Sequence, residues 1–572
     1  MPGKRRGAVA FATLALSGLV LSACTFGSHP GRSLGQPATA PPSFAWGFDQ
    51  AFSAYNANTA EADMPGNLAV LQQVLRGFWY YAPNGALIPD TEYGTYQKLS
   101  DNPLTVRYTF NPKATWSDGV PMGCADAVLT WLANSGVTGS NGFSAASTDG
   151  YRNMTKPKCA AGDKSFTVVY KKPFADWDSM FGSPQILPAH VLQTAAGVPD
   201  LITAADRPNS FQVLQAATAY NTIWRLNRGP IRQAMMPSDG PYTITAWDPG
   251  RSLTLTANHR WWGKPPRSST LVVRYLADDV QLQALLAGDI NAMDPQPQLA
   301  MVTRLKTAAG RVRYSIGDSS TFEHLDFNFG GVFKDRNLRL AFAKCVPRQQ
   351  IVNSLIKPVN PNATVLDSRF VLPFQPAYSS FIAGNGGQPY DRLDIGGAKK
   401  LVSASGQKQP ITVRLGWLKD PQMLNTRRVD TLAMVRDSCR RAGFNVVDAG
   451  SADFYQKGLP NSQFDVAMFG WDSSPRVTAA DDVYMTKGDS NFGRFSDPQI
   501  DKLFAQLSVE TDKTRQAALL KQIDTRLWAD LATIPLFAVP GMLGTTPSAQ
   551  GIAYNATQQN LTWNAYDWTV AP

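Results

Sequence analysis

Phe464-Asp465-Val466-Ala467-Met468-Phe469-Gly470-Trp471-Asp472-Ser473-Ser474 is the stretch that decides how the rest of the chain is interpreted. Its apolar first part, residues 464–469, predicts a buried β-strand. Trp471 and the polar residues after it would then lie at the carboxyl end of that strand, where α/β sheets place their ligands. We therefore expect a crevice beside Trp471.

Strand and helix patterns alternate on both sides of this stretch. Apolar alternation predicts strands and apolar residues at helical spacing predict helices. The predicted strands are 44–48, 106–110, 165–170, 242–247, 252–257, 271–276, 325–329, 411–417 and 534–539. The predicted helices are 67–81, 124–132, 280–287, 337–356, 425–442, 499–507 and 513–531. The alternation predicts an α/β fold of mixed type, with sheets covered by helices.

Composition bounds the class of protein. The chain has 572 residues, is 17% charged and 44% hydrophobic, and carries a formal charge of +10. These values exclude a disordered chain, and the length suggests three or four structural units. The positive residues are scattered, which favours an ordinary basic surface over a nucleic-acid partner.

Motifs for catalysis or metal binding are missing from the sequence. There are only four histidines, with no H-x-x-x-H or C-x-x-C spacing, so we expect no metal and no cofactor. No G-x-S-x-G elbow, Walker loop or G-x-G-x-x-G pattern occurs. These absences point to a binding protein and away from an enzyme.

The amino terminus has the pattern of an export signal. Lys4-Arg5-Arg6 precedes the apolar residues 8–23, and Leu21-Ser22-Ala23-Cys24 resembles a bacterial lipobox. We predict a signal peptide over 1–23, a lipidated Cys24, and a flexible Gly/Pro/Ser/Thr-rich tether over 24–43. The chain would then be anchored to the outer face of the bacterial cytoplasmic membrane. The alternative is a plain signal peptide followed by a chance cysteine.

Four cysteines remain beyond Cys24: Cys124, Cys159, Cys345 and Cys439. An even number in an exported chain suggests two disulfides, for which three pairings are possible. The alternative is four buried thiols.

Six short blocks in a fixed order carry a family resemblance. They are Trp116-Ser117-Asp118-Gly119 with Ala125-Asp126-Ala127-Val128, Gly240-Pro241-Tyr242 with Asn258-His259-Arg260-Trp261-Trp262-Gly263, Ala284-Leu285-Leu286-Ala287-Gly288-Asp289-Ile290, Asn328, Phe333-Lys334-Asp335-Arg336-Asn337-Leu338-Arg339, and residues 464–471. Together they resemble extracellular solute-binding protein family 5, the peptide- and nickel-binding lipoproteins of ABC importers. The match runs from about residue 44 to 540.

The resemblance implies a two-lobed periplasmic-binding-protein clamp of the large peptide-binding type. Lobe I would comprise residues 44–318, with an extra subdomain inserted over about 82–236, and a return segment over 531–572. Lobe II would comprise residues 319–530. On this map the pairs Cys124–Cys159 and Cys345–Cys439 are favoured, because each lies within one lobe and leaves the cleft free to move.

The implied function is that of a lipid-anchored, monomeric substrate-binding subunit of an ABC importer. It would capture oligopeptides by hinge closure and deliver them to a membrane permease. Alternative ligands within the family are haem, glutathione, a glycan or a nickel chelate. From other classes, an exported hydrolase and a lipoprotein that has lost ligand binding are the rivals.

The resemblance also indicates site residues. In oligopeptide-binding relatives an aspartate three residues after the tryptophan meets the peptide amino group, but here that position is Ser474. Either Asp472 substitutes for it, or the ligand has no free amine. Further candidates lie beside the hinge, in the early cleft-lining segment and after Trp471, where an arginine could pair with a peptide carboxylate: Glu323, His324, Asp63, Met64, Asn67 and Arg476.

Overall fold

A computed structural model describes residues 43–226, 231–421, 425–557 and 561–571. The predictions for the signal peptide, for the lipidation of Cys24 and for nearly all of the tether lie outside these residues.

The described strands and helices alternate as the sequence predicts. The strands are β1 Ser43–Phe48, β2 Trp79–Tyr81, β3 Leu87–Pro89, β4 Gly94–Asp101, β5 Leu104–Phe110, β6 Ser165–Val169, β7 Tyr242–Asp248, β8 Ser252–Ala257, β9 Thr270–Tyr275, β10 Ala292–Met293, β11 Arg313–Phe327, β12 Ile411–Gly416, β13 Phe444–Asp448, β14 Val466–Asp472, β15 Thr533–Thr545, β16 Ala549–Gln550 and β17 Thr569–Val570. The α-helices are α1 Pro65–Leu71, α2 Cys124–Asn134, α3 Ala189–Ala196, α4 Leu201–Ala204, α5 Phe211–Tyr220, α6 Asp278–Ala287, α7 Leu299–Thr307, α8 Arg336–Cys345, α9 Arg348–Ile351, α10 Tyr378–Ile382, α11 Ile395–Ala404, α12 Thr426–Arg440, α13 Asp481–Tyr484, α14 Pro498–Leu507 and α15 Lys513–Asp530.

Two long strands hold the main sheet together. The ten-stranded sheet has the order β13-β12-β14-β11-β15-β10-β1-β9-β8-β7. β11 and β15 pair antiparallel from Arg313↔Thr545 to Asp326↔Thr533, with a register shift between Asp318 and Phe322. The second half of β11 also pairs with β14, and the far end of β15 pairs with β10. Each long strand therefore runs from one half of the sheet to the other.

The hydrophobic core is divided at these crossing strands. One large buried cluster draws on residues 44–292 and 543–568 and includes Trp46 and Trp568. Another draws only on residues 325–539 and includes Trp417 and Trp528. Two separately packed cores joined by β11 and β15 make a mixed α/β, two-lobed clamp, which confirms the predicted fold class. The lobe boundaries themselves stay a prediction.

Two predicted helices are wrong in extent. Over 67–81 the helix covers only Pro65–Leu71, and the chain then turns into β2. A Cβ atom at Gly77 would lie 2.3 Å from the backbone carbon of Gly182, so the turn brings two backbone segments together. Over 337–356 the helix stops at Cys345, because Pro347 holds the preceding Val346 extended at ψ 121°.

Three strands are longer than their apolar patterns predict. The strand predicted over 325–329 is the end of β11, and the one over 534–539 is the middle of β15. The strand predicted over 464–469 runs on through Trp471 to Asp472. Pairing with a neighbouring strand, which a periodicity does not reveal, extends all three.

Two disulfides join the four described cysteines. They are Cys124–Cys159 and Cys345–Cys439, the pairs that the lobe map favours, with Cα–Cα distances of 5.8 and 4.9 Å. The second bond ties α8 to α12 within one core. Of the described helices, none combines the length and apolar character needed to cross a bilayer.

Candidate ligand-binding cleft

Two cavities meet where β14 ends. The first, the Arg476 cavity, has a volume of about 380 Å³ and is lined by residues that include Phe322, Trp471, Asp472, Ser474, Arg476 and Tyr484. The second, the Asp294 cavity, has a volume of about 430 Å³ and is lined by residues that include Asp49, Asp63, Asp294, Thr321, Asp472 and Tyr554. Asp472 lines both cavities, so the two adjoin at this side chain and together make up the candidate cleft beside the crossing strands. Each volume is in the range of small-molecule sites.

Strand pairing fixes Asp472 at this junction. β14 places Asp472 opposite Thr321 and Trp471 opposite Phe322 on β11. The Thr321 hydroxyl donates a hydrogen bond to the Asp472 carboxylate. Successive strand residues point to opposite faces, but at this strand end Trp471 and Asp472 both border the Arg476 cavity. Asp472 is exposed and offers a fixed negative charge to both halves of the cleft.

Trp471 lies between the core and the cavity. Its ring is 5.2 Å from that of Phe469 and is stacked on Phe492 at 6.3 Å. It is half-buried, and its indole N–H has no hydrogen-bond partner among the described residues. One part of the ring therefore packs on protein, while the residue also lines the Arg476 cavity.

Arg476 brings donors without acceptors into the first cavity. Its Nε and Nη2 atoms are buried and have no partner among the described residues, and its guanidinium lies 5.9 Å from the ring centroid of Phe174. Arg369, which also lines the cavity, is satisfied by Asp524 at 3.0 Å and by Thr533. Because an arginine fork matches a carboxylate, Arg476 is the group of this lining suited to bind an anion.

The Asp294 cavity is acidic. Four of its lining side chains are aspartates, and no lysine or arginine is among the described residues that line it. Asp294 accepts a hydrogen bond of 2.8 Å from the indole of Trp46. Burial raises the pKa of Asp294 to about 7, and the charge of Asp49 adds to the effect. This half of the cleft therefore suits a cationic group.

The raised pKa of Asp294 predicts a pH-dependent stability. In the unfolded chain an aspartate titrates near about 4, whereas folded Asp294 titrates at about 7, so the folded state binds the proton more tightly. We expect the contribution of Asp294 to the free energy of unfolding to fall as the pH rises through this window. Denaturant titrations at several pH values check this, and the Asp294→Asn variant should show a flatter profile. Identical profiles for variant and parent would contradict the expectation.

Of the residues predicted beside the hinge, neither lines a described cavity. Glu323 is buried in a two-bond ion pair with Arg428, at 2.7 and 3.0 Å. His324 is fully buried, with its ring 4.3 Å from that of Phe469. Both lie on β11, where β14 and β15 cover the strand from each side.

The three candidates from the early cleft-lining segment, Asp63, Met64 and Asn67, have different surroundings. Asp63 lines the Asp294 cavity. Met64 is 53% exposed and does not line either cavity. Asn67 is fully buried, accepts hydrogen bonds from the backbone N–H of Ser53 and Ala54, and donates one to the carbonyl of Ala62. Its amide is used to hold the chain, and we do not include it in the site.

Several lining residues carried no signal in the sequence. Asp49 and Asp294 are 245 positions apart and come together because β1 pairs with β10, Trp46 opposite Ala292. Thr321 and Phe322 line the cavities and directly precede the predicted Glu323 and His324 on β11. Segments so far apart share no local pattern, so a sequence pattern cannot show that they meet.

The comparisons with known proteins agree with this architecture. Residues 89–493 match the family described as bacterial extracellular solute-binding proteins, family 5 Middle. The chain belongs to that family, whose members are non-enzymatic substrate-binding proteins of ABC importers.

Two relatives and one solved structure are similar over most of the chain. An uncharacterized lipoprotein of Mycobacterium tuberculosis is 26% identical over 535 residues, covering 91% of this chain and 92% of the relative. The oligopeptide-binding protein OppA of Mycobacterium tuberculosis is 28% identical over 483 residues, covering 83% of this chain and 76% of the relative. The periplasmic EDTA-binding protein EppA superposes with a TM-score of 0.81 at 20% identity, covering 93% of this chain and 97% of EppA. That last likeness is one of fold.

Proposed function

We propose that this protein is the lipid-anchored subunit of an ABC importer that captures oligopeptides in the cleft and delivers them to a membrane permease. It would work as a monomer at the outer face of the cytoplasmic membrane. The observation that carries the proposal is the placement of an unpaired guanidinium in one of two adjoining cavities and of an aspartate cluster in the other. These charges match the amino and carboxylate termini of a peptide.

Asp472 serves as the carboxylate that binds the ligand amine, because Ser474 stands where oligopeptide-binding relatives have an aspartate. Its carboxylate is held by Thr321 at the junction of the cavities, where it can meet a ligand amine by a charge-assisted hydrogen bond. Asp49 and Asp63 lie on the same side, and Asp294 adds a partial negative charge there at neutral pH, since burial raises its pKa to about 7. Arg476 receives the carboxylate, and Ser474 accepts a 3.2 Å hydrogen bond from the Arg476 backbone N–H, which steadies that loop.

Closure would occur about the crossing strands. We assign residues 44–318 and 531–572 to lobe I, with the insert at about 82–236, and residues 319–530 to lobe II. The register shift between Asp318 and Phe322 on β11 falls at this boundary. A ligand that contacts both lobes stabilises the closed form, because those contacts exist only there.

The lipid anchor rests on the lipobox-like Leu21-Ser22-Ala23-Cys24 and on relatives named as lipoproteins. Two acyl chains on Cys24 would give stable anchoring, since each buried CH₂ adds about 0.8 kcal/mol.

A chelate ligand is the second candidate, because one solved structure with a similar fold is an EDTA-binding protein. The four aspartates of the Asp294 cavity disfavour it. They would repel a polycarboxylate. Of the two arginines described in the lining of the Arg476 cavity, Arg369 is paired with Asp524, which leaves Arg476 to compensate.

Native mass spectrometry of the gently purified mature chain without its lipid anchor tests the proposal. We expect co-purified peptides of mixed sequence and narrow length, returned intact. A single non-peptide mass would overturn the peptide assignment and leave the family unchanged. If the protein is empty, pools of synthetic peptides are screened by thermal shift, and the lack of any shift contradicts the proposal.

Trp471→Ala is expected to weaken peptide binding about tenfold, because the cavity loses an aromatic wall worth about 1.4 kcal/mol. Titration of a co-purified peptide measures the change. Trp261→Ala is the matched control, since Trp261 is also half-buried and lines neither cavity. Equal affinities for Trp471→Ala and the parent protein would remove Trp471 from the site.

A further inference from the structure

The described hydrogen bonds to the Asp176 carboxylate come from the other side of the cleft. Asp176 is 3% exposed and lies in the predicted insert of lobe I. It accepts hydrogen bonds from the backbone N–H of Val477 at 3.0 Å, from the backbone N–H of Thr478 at 3.0 Å, and from the Thr478 hydroxyl at 2.6 Å. These three bonds join residues about 300 positions apart, from opposite lobes on the assignment above.

Neighbouring groups complete this contact between the lobes. The backbone N–H of Ala175 donates to the carbonyl of Ser508 at 2.9 Å, and the Gln516 side chain donates to the Ala175 carbonyl at 2.8 Å. At the rim, Lys513 pairs with Asp178 at 3.0 Å. Asp176 is thus the buried, charged centre of the contact, whereas Asp178 makes an ion pair with a half-exposed lysine.

The contact also holds the loop that carries Arg476 in the part of the cleft suited to an anion. Val477 directly follows Arg476, and both line the Arg476 cavity. Phe174, two residues before Asp176, lies 5.9 Å from the Arg476 guanidinium. Lobe I therefore holds the Arg476 loop by its backbone at Val477 and Thr478 and packs an aromatic ring on its charged end.

We infer that Asp176 is a positioning residue that latches the closed clamp and presents Arg476 to the ligand. The bonds form only when the lobes meet, since all three donors belong to residues 477–478 and the acceptor to the insert. A buried carboxylate without donors is costly, so the latch favours full closure over partial closure. The part of this inference that concerns the ligand rests on the proposed function. The hydrogen bonds of the latch do not depend on which ligand binds.

Amide hydrogen exchange tests the latch without a ligand. In Asp176→Asn the Val477 and Thr478 amides lose a charged acceptor, and we expect them to exchange about tenfold faster than in the parent protein. Asp178→Asn is the matched control, because it removes a carboxylate two residues away and should leave both amides unchanged. Unaltered exchange in Asp176→Asn, or an equal rise in Asp178→Asn, would overturn the inference.

Binding measurements test the positioning role. Synthetic linear peptides with free termini should bind Asp176→Asn about 10- to 50-fold more weakly, mainly through faster dissociation, with Asp178→Asn near the parent protein. Thr478→Val, which removes one donor and preserves the carboxylate, should show a smaller loss. Its effect should be reduced in the Asp176→Asn background, where the acceptor is no longer charged. If Asp176→Asn does not fold, Thr478→Val decides, and unchanged peptide affinity in that variant overturns the role. Failure of the parent protein to bind any peptide would instead count against the proposed function, while the exchange experiment still judges the latch.

Discussion

Replacing Arg476 by methionine is expected to weaken binding of a peptide with a free carboxylate by about 100-fold. The guanidinium Nε and Nη2 atoms are buried without partners among the described residues, so a ligand carboxylate would satisfy both at once. A charged hydrogen bond contributes about 1.5–3 kcal/mol, and 2.8 kcal/mol corresponds to about 100-fold in affinity. Methionine retains an unbranched stem, so the packing on Phe174 changes little.

The chemical form of the ligand isolates this effect. Calorimetric titration of one peptide and of its carboxyl-terminal amide should show that the parent protein prefers the acid and that Arg476→Met does not distinguish the two. Arg441→Met serves as the control, because Arg441 is exposed and lines neither cavity. A variant that retained the preference for the acid would place the carboxylate elsewhere in the cleft.

Asp524→Ala is expected to lower the free energy of unfolding by about 3–5 kcal/mol. Asp524 and Arg369 form an ion pair of 3.0 Å in which both side chains are fully buried. Asn385 donates to the second Asp524 oxygen at 2.6 Å, and the Arg369 guanidinium lies 4.4 Å from the ring of Trp528. Removing one partner leaves an uncompensated buried charge, whose cost is in this range.

Denaturant unfolding followed by tryptophan fluorescence measures the loss. Lys457→Ala is the control: its pair with Asp453 is exposed, so the change should stay below about 1 kcal/mol. A loss for Asp524→Ala no greater than that of the control would show that the buried network relaxes when its carboxylate is removed.

The elements with local signals were predictable. The hairpin of β7 and β8 surrounds Asp248-Pro249-Gly250, and α6 ends at Gly288, whose φ of +81° suits a residue without a Cβ. The break after α8 is also present in the sequence as Pro347, which interrupts the helical spacing over 337–356. The residues beyond Leu71 are apolar for a different reason, since they pack into the buried cluster that contains Trp46 and Trp568 rather than onto one helix face.

The candidate site was predictable where it is continuous. Trp471, Asp472, Ser474 and Arg476 stand within six positions, and all four line the Arg476 cavity. The opposite half is assembled from segments hundreds of residues apart, and apart from the shared Asp472 the sequence indicates only Asp63 of its lining. Polarity near the hinge misled the prediction for Glu323, because Arg428, 105 residues later, takes its charge.

The sequence by itself determined the alternation of strands and helices, the turns, the mixed α/β class and the polar segment that follows Trp471. These properties depend on side-chain period and backbone preference within a few residues. Only the tertiary structure decided that β11 and β15 cross between two cores, that Asp294 joins Asp472 in one cleft, and that Asp176 meets Thr478. Such contacts follow from the packing of whole sheets and lobes, in which the partner of each group is chosen by burial and hydrogen bonding across the fold rather than by its neighbours in the chain.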